Sequence, residues 1–302
     1  MGSAKSQSRI VPEPELARSA TGAELPRAYR SGEAAGAGWR PFAARSSARG
    51  VLDRVLDGTA LLALGLLVGA VAYLAAAAAA GRYAVDTSGA HEPNWVAGPL
   101  RDIASPLTPD GFGVAILVML GAYLVVLVRA RSVSPRYVIA AIVAAHVAIA
   151  LAPPLLSADV FGYIAFARLG TVHHLNPYLH APIETRDVIL PFIFWRHAKS
   201  PYGPLFTLAT YPLVSLGPQG TLWALKGLAA AASLGVVALV WRGAAQRGFS
   251  PVAAAVLVGL NPFTIVYAVG GAHNDLYWLA LLTAAAVALG AQASSGADGQ
   301  RR

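Results

Sequence analysis

Between Ser157 and Pro182 the chain reads SADVFGYIAFARLGTVHHLNPYLHAP, placing Asp159, Tyr163, Arg168, Tyr178, His173, His174 and His180 directly after an apolar run. A carboxylate in this setting can take a proton from a hydroxyl. Read as a helix, Asp159, Tyr163 and Phe166 share one face at i, i+4 and i+7, while Val160, Ile164 and Ala167 take another. Such a helix lies along a membrane surface, its apolar side in lipid or against spans, its Asp aimed into the cavity they enclose. Asp159 reads equally as a helix cap. The histidines match no familiar zinc spacing, so interfacial histidines and a turn at Asn176-Pro177 are the reading, and neither a metal nor another cofactor is indicated.

Two further places carry chemistry. In GGAHNDLYW, Gly270 and Gly271 permit a tight turn, and His273, Asn274 and Asp275 then open a helix. N-capping explains one of these polar residues but not all three. Lys226 falls inside an apolar run, where a cation is costly and implies either a functional partner or snorkelling to the headgroups. A functional Lys226 should face an anion at the membrane surface. SPYGPL reads as a rigid turn whose prolines fix the loop.

The elements that position these residues must be membrane helices. The 302 residues are 56% hydrophobic and 13% charged, with mean hydropathy +0.55, too little charge to cover a soluble surface. The alternating pattern of a transmembrane barrel is absent, leaving an all-α polytopic bundle. Apolar runs at approximately 58–80, 111–128, 137–153, 220–241, 252–269 and 275–292 predict six spans. Residues 1–57 read as a disordered cytoplasmic tail. Residues 200–218, interrupted by prolines, read as a second surface helix in an outer loop over about 154–219.

Charge sets the orientation. Nine basic residues from Lys5 to Arg54 precede the first span, whereas only Arg82 and Arg101 lie in 81–110. Arg129, Arg131 and Arg136, then Arg242 and Arg247, then Arg301 and Arg302, fall on the same side if the N-terminus is cytoplasmic. The loop with Asp159 is then extracytoplasmic at the plasma membrane. The net charge of +8 is explained by these span ends, and no aromatic-basic groove accompanies it, which argues against nucleic acid. Cysteine is absent, so thiol chemistry is excluded.

With a loop Asp followed by NPYLHAP, SPYGPL and NPFTIVYAVGGAHNDL, residues 137–292 resemble membrane glycosyltransferases of the GT-C class. The motifs are most similar to the polyprenyl-phosphate-mannose-dependent α-(1→6)-mannopyranosyltransferases that build lipomannan. The resemblance implies an inverting transfer of mannose from a polyprenyl-phosphate donor to a glycolipid acceptor, with Asp159 as general base. It also implies donor or substrate contacts from Tyr163, Arg168, Tyr178, Tyr202, Lys226, His273, Asn274 and Asp275. Among these, Lys226 and His273 are expected at the phosphate, and Tyr163 and Tyr202 around the sugar. Related enzymes continue with further spans, so a C-terminal truncation is expected. A small-solute transporter and a non-catalytic or split membrane subunit are the alternatives, although no internal repeat supports the former.

Overall fold

The computed structural model describes residues 43–79, 94–103 and 109–299. Residues 1–42 of the tail expected over 1–57, Arg82 in 80–93, and the terminal Arg301 and Arg302 lie outside the described residues, whereas residues 43–57 of that expected tail are helical, as the start of the first helix. The chain divides into Met1–Arg45 and Ser46–Arg302, and the architecture below is that of the second unit. In order come α1 (Ala43–Ala79), α2 (Asn94–Ala97), α3 (Pro109–Arg129), α4 (Pro135–Ala150), α5 (Asp159–Thr171), α6 (Pro204–Thr210), α7 (Gly217–Gln246) and α8 (Pro251–Gly259). A π-helical turn (Phe263–Val269) and α9 (Asp275–Gly299) follow. Among the described residues there is no strand.

Three helical stretches are long and apolar enough to cross a membrane: Asp57–Ala79, Asp110–Arg129 and Pro204–Gln246. The pair α8 and Phe263–Val269, bent by 48°, makes a fourth if counted as one span. Pro135–Ala150 and Asp275–Ala291 are apolar but shorter. The protein is a helical membrane protein in which all six apolar runs form helix, three or four of them of spanning length. Within Pro204–Gln246 the backbone turns at Gly217, at φ 71° and ψ 173°. Side-chain-bearing residues avoid that region, so the glycine sets α6 and the following turn apart from α7.

Of the two settings expected for the apolar side of α5, lipid or other helices, the structure shows the second, and α5 is buried continuously from Val160 to Ala167. The run contains no charged residue, and a helix that is apolar all round seeks enclosure. α6, the turn after it and α7 pack around it. Phe161 stacks on Phe192 at 5.3 Å, while Tyr163 meets the edges of Tyr202 at 4.7 Å and Phe206 at 4.9 Å.

α7 is the central helix, touching α4, α5, α8 and α9. His146 on α4 holds it through a 2.9 Å bond to Ser233, while its Nδ1 lies 2.8 Å from the Ile142 carbonyl. A carbonyl only accepts, so Nδ1 carries the proton and Ser233 donates to Nε2. The Tyr277 hydroxyl donates from α9 to the Leu225 carbonyl of α7, and Tyr123 donates from α3 to the Leu257 carbonyl of α8. Each such interhelical bond contributes on the order of 0.6–1.7 kcal/mol in a bilayer.

The widest departure from α geometry lies just before α9. Gly270 and His273 donate their N–H groups to Ile265 and Ala268, five residues back, each at 2.9 Å. The Gly270 carbonyl accepts from the Leu155 N–H at 3.1 Å and from Lys226 Nζ at 3.0 Å. One oxygen thereby joins the approach to α5, the middle of the bundle and the turn into α9. A Cβ at Gly270 would lie 2.1 Å from the Val266 carbonyl oxygen, a backbone atom with nowhere to move. Gly270→Ala is therefore expected to remove most of the folded protein, measured as the detergent-soluble fraction surviving mild heating, with Gly227→Ala, where nothing lies within 4 Å, as the tolerated control.

Candidate active site

Asp159 is the first residue of α5, and the position before it, Ala158, supplies no side-chain cap. The N-terminal end is instead turned by Ser157, whose hydroxyl accepts from the Asp159 N–H at 3.1 Å. The carboxylate is thus not used up as a cap. Its side chain is 32% exposed, open on one side while the helix behind it is sealed. The positive end of the helix dipole favours negative charge at this place.

Three aromatic or imidazole groups surround it. The Tyr202 phenol lies beside Asp159, and burial followed by the Asp159 charge pushes it above its ordinary pKa. Burial likewise raises Tyr163, more than the Asn274 N–H lowers it. Both tyrosines therefore keep their protons at any physiological pH and act as hydroxyl donors. His273 Nδ1 stands 3.6 Å from Asp159 Oδ2. Burial lowers the His273 pKa, against the opposing pull of Asp159 and Asp275, so the ring is neutral near pH 7.

Residues distant in sequence are drawn together by one hydroxyl. Tyr163 donates to Asn274 Oδ1 at 3.3 Å and accepts from the Asn274 N–H at 3.2 Å, so α5 and the start of α9 share a double contact. Asp275, exposed at the first position of α9, adds its charge to the field felt by Tyr163, Tyr202 and His273. Asp159, Tyr163, Tyr202, His273, Asn274 and Asp275 form one cluster.

The remaining expected contacts go elsewhere. Lys226 is wholly buried, with its Nζ donating to the Gly270 carbonyl, and does not face a surface anion as expected. The α7 position that carries it points inward, and a 3.0 Å bond fixes its tip there. Tyr178 donates toward the Tyr202 carbonyl at 2.9 Å and the Thr207 hydroxyl at 3.0 Å, which pins the SPYGP turn to α6. Arg168 spends its Nε on Asp187, at 2.9 and 3.1 Å from the two oxygens.

Asp187 is the polar residue that no sequence signal marked, because its partners lie 19 and 14 positions away. It is buried, and it accepts also from His173 Nε2 at 2.6 Å and the Ile189 N–H at 3.0 Å. Burial works to raise its pKa, but Arg168, His173 and the Ile189 amide outweigh this and hold the carboxyl below its ordinary range. His180 pairs separately with Glu184 at 2.7 Å. Among the described residues no group of three or more His, Asp or Glu side chains converges as metal ligands would.

The site so assembled is one carboxylate on a protein-enclosed helix, flanked by tyrosine hydroxyls, in a membrane helical protein. Residues 62–297 match the family described as alpha-(1->6)-mannopyranosyltransferase, N-terminal domain, and the chain belongs to that family. It is 31% identical over 140 residues to an alpha-(1->6)-mannopyranosyltransferase of Mycobacterium tuberculosis, covering 44% of this chain and 24% of the relative. A probable alpha-(1->6)-mannopyranosyltransferase of Mycolicibacterium smegmatis is 30% identical over 142 residues, covering 44% and 25%. Alpha-(1->6)-mannopyranosyltransferase B of Corynebacterium glutamicum is 30% identical over 145 residues, covering 44% and 23%. The matched segment thus spans about a quarter of the length of these relatives. No solved structure matches.

Replacing Asp187 with Ala leaves the Arg168 guanidinium without its counter-charge in a mostly buried place, a loss on the order of 3 kcal/mol. The expected outcome is faster protease nicking within 182–193. For the unsubstituted chain the depressed carboxyl contributes stability above its unfolded pKa of about 3.9, lost as pH falls through the lower folded value. Nicking should therefore accelerate in strong acid, below about pH 4.

Proposed function

We propose that this chain is the catalytic N-terminal part of an inverting membrane mannosyltransferase that takes its sugar from a polyprenyl-phosphate donor and transfers it to a glycolipid acceptor. The observation that carries the reading is the Asp159 carboxylate, partly open and flanked by Tyr202 and His273, at the mouth of a sealed helix. Asp159 accepts the proton of an acceptor hydroxyl as that oxygen attacks the anomeric carbon. The sugar–phosphate bond breaks in the same displacement, and the phosphate leaves with the electron pair. One base suffices, and the anomeric configuration inverts.

Tyr163 and Tyr202 shape the sugar pocket, and Asn274 and Asp275 border it. The leaving phosphate needs charge stabilisation more than protonation. Enclosed Lys226 supports the Gly270 turn, so its part in this reading is to hold the site together. A lipid-linked donor is supported by an apolar cleft of about 280 Å³ lined by Leu205, Phe206, Leu213, Leu228, Trp278 and Leu281. The cleft begins at Phe206, whose other side touches the ring of Tyr163. A prenyl chain laid there would bring its phosphate toward the tyrosines.

The reading includes six spans, a cytoplasmic N-terminus and a site on the extracytoplasmic face. With no cysteine in the natural sequence, a single introduced thiol reports one position. Cysteines at Thr185 and Ser250 should label from opposite sides with an impermeant maleimide, and labelling of both from one side refutes the orientation. Transfer from a labelled polyprenyl-phosphate sugar, assayed in membranes carrying the chain, tests the chemistry. Asp159→Asn should lower the rate by at least about 100-fold with unchanged protein level, and wild-type turnover in that variant removes Asp159 as base.

A further inference from the structure

His273 has two ring nitrogens in contrasting places. Nδ1 looks at Asp159 Oδ2 from 3.6 Å. Nε2 is the buried side-chain polar atom, among the described residues, that has no hydrogen-bond partner. The ring itself cannot turn to relieve this. It stacks on Tyr267 at 4.3 Å with an interplanar angle of 26°, and the side chain is only 7% exposed. On the other side the ring lies against the backbone of Gly271, where a Cβ would come within 2.8 Å of both Cδ2 and Nε2. Ala272 adopts φ 54°, an uncommon value for a residue with a side chain, and this swings the chain from the π-helical turn to bring His273 round.

The two surroundings choose the proton's position. A proton on Nε2 would be a buried donor with no acceptor, and would leave the Nδ1 lone pair against a carboxylate oxygen. Both consequences are unfavourable. A proton on Nδ1 reverses both, giving the carboxylate a donor and burying only a lone pair. Protonation of both nitrogens would restore the unpaired Nε2 donor, in a place where burial already disfavours the cation.

We infer that His273 is a positioning residue for Asp159: a neutral imidazole, protonated on Nδ1, which aims one carboxylate oxygen and leaves the other toward the acceptor hydroxyl. The 3.6 Å separation is slightly longer than a hydrogen bond, as catalytic contacts often are before substrate binds. The groups around the carboxylate are then His273 and the Tyr202 phenol, with Tyr163 one ring behind Tyr202 and the charge of Asp275 felt by all three. Tyr202 and His273 approach from different parts of the chain. This assignment rests on the reading of Asp159 as the base, and it replaces the expected phosphate contact of His273 with a role exerted through Asp159.

Two measurements test it. In 15N-histidine spectra of the purified chain, the signal that His273→Phe removes should show a protonated Nδ1 and an unprotonated Nε2. An Nε2-protonated ring, or an imidazolium at pH 7, overturns the inference. The second is transfer from a labelled polyprenyl-phosphate sugar in membranes carrying the chain. His273→Phe keeps the stack on Tyr267 but has no N–H, and should lower kcat roughly 10- to 100-fold with the donor KM unchanged. His273→Asn, which offers an amide N–H, should recover part of that loss. In an Asp159→Asn background, His273→Phe should cost nothing further, because the two residues act as one unit. A raised donor KM with no recovery by Asn would instead mark a direct phosphate contact and overturn the positioning role. Full activity of Asp159→Asn, or no transfer by the unsubstituted chain, would overturn the functional reading itself, and the spectra would still decide the tautomer.

Discussion

The structure depends on a single carbonyl oxygen. Gly270 turns its C=O out of the helical ladder, and Lys226 and the Leu155 amide both donate to it. The helical turn ends at Gly270, and the N–H four residues on, that of Asn274, goes to the Tyr163 hydroxyl, which leaves the Gly270 oxygen free. A buried lysine tip is costly without a partner, and the bond to the carbonyl partly offsets that cost. In return the two bonds tie together three segments that share no sequence proximity. Those segments are the approach to Asp159, the centre of α7, and the turn that carries His273 and Asn274.

Everything polar in the cluster follows from that junction. Leu155 lies four residues before Asp159, so anchoring its N–H sets where α5 begins. Three residues after Gly270 the chain presents His273, and then Asn274 meets the Tyr163 hydroxyl. Asp159 and His273 thus face each other because both are measured from the same oxygen. The Arg168–Asp187–His173 group does the equivalent job at the far end of α5, pinning the outer loop there.

Much of this was legible in the sequence, and the reasons differ by residue. The apolar runs announced helices because membrane burial demands long stretches free of charge, and Asp159 stood out for interrupting that rule. Gly270 and Gly271 form the turn that their pairing indicates, and they also allow a close approach of neighbouring groups, while the positive φ falls on Ala272. Lys226 was recognisable as anomalous, but a single sequence cannot say whether a buried cation meets a ligand or a carbonyl. The spacing of α5 allows two faces on a surface helix, whereas the lack of charge from Val160 to Ala167 decides for enclosure. Asp187 left no local trace at all, since its importance comes wholly from chain contacts made after folding.

The sealed flanks of α5 bear on how tightly a sugar can be held. A carboxylate on a free loop would sweep a wide arc, and capturing a hydroxyl would first require freezing that motion. Here the helix that carries Asp159 is packed against protein from Val160 onward, and mainly the torsions of one short side chain remain. Little disorder is left for an incoming saccharide to remove, so the attraction it generates goes toward its own grip and alignment.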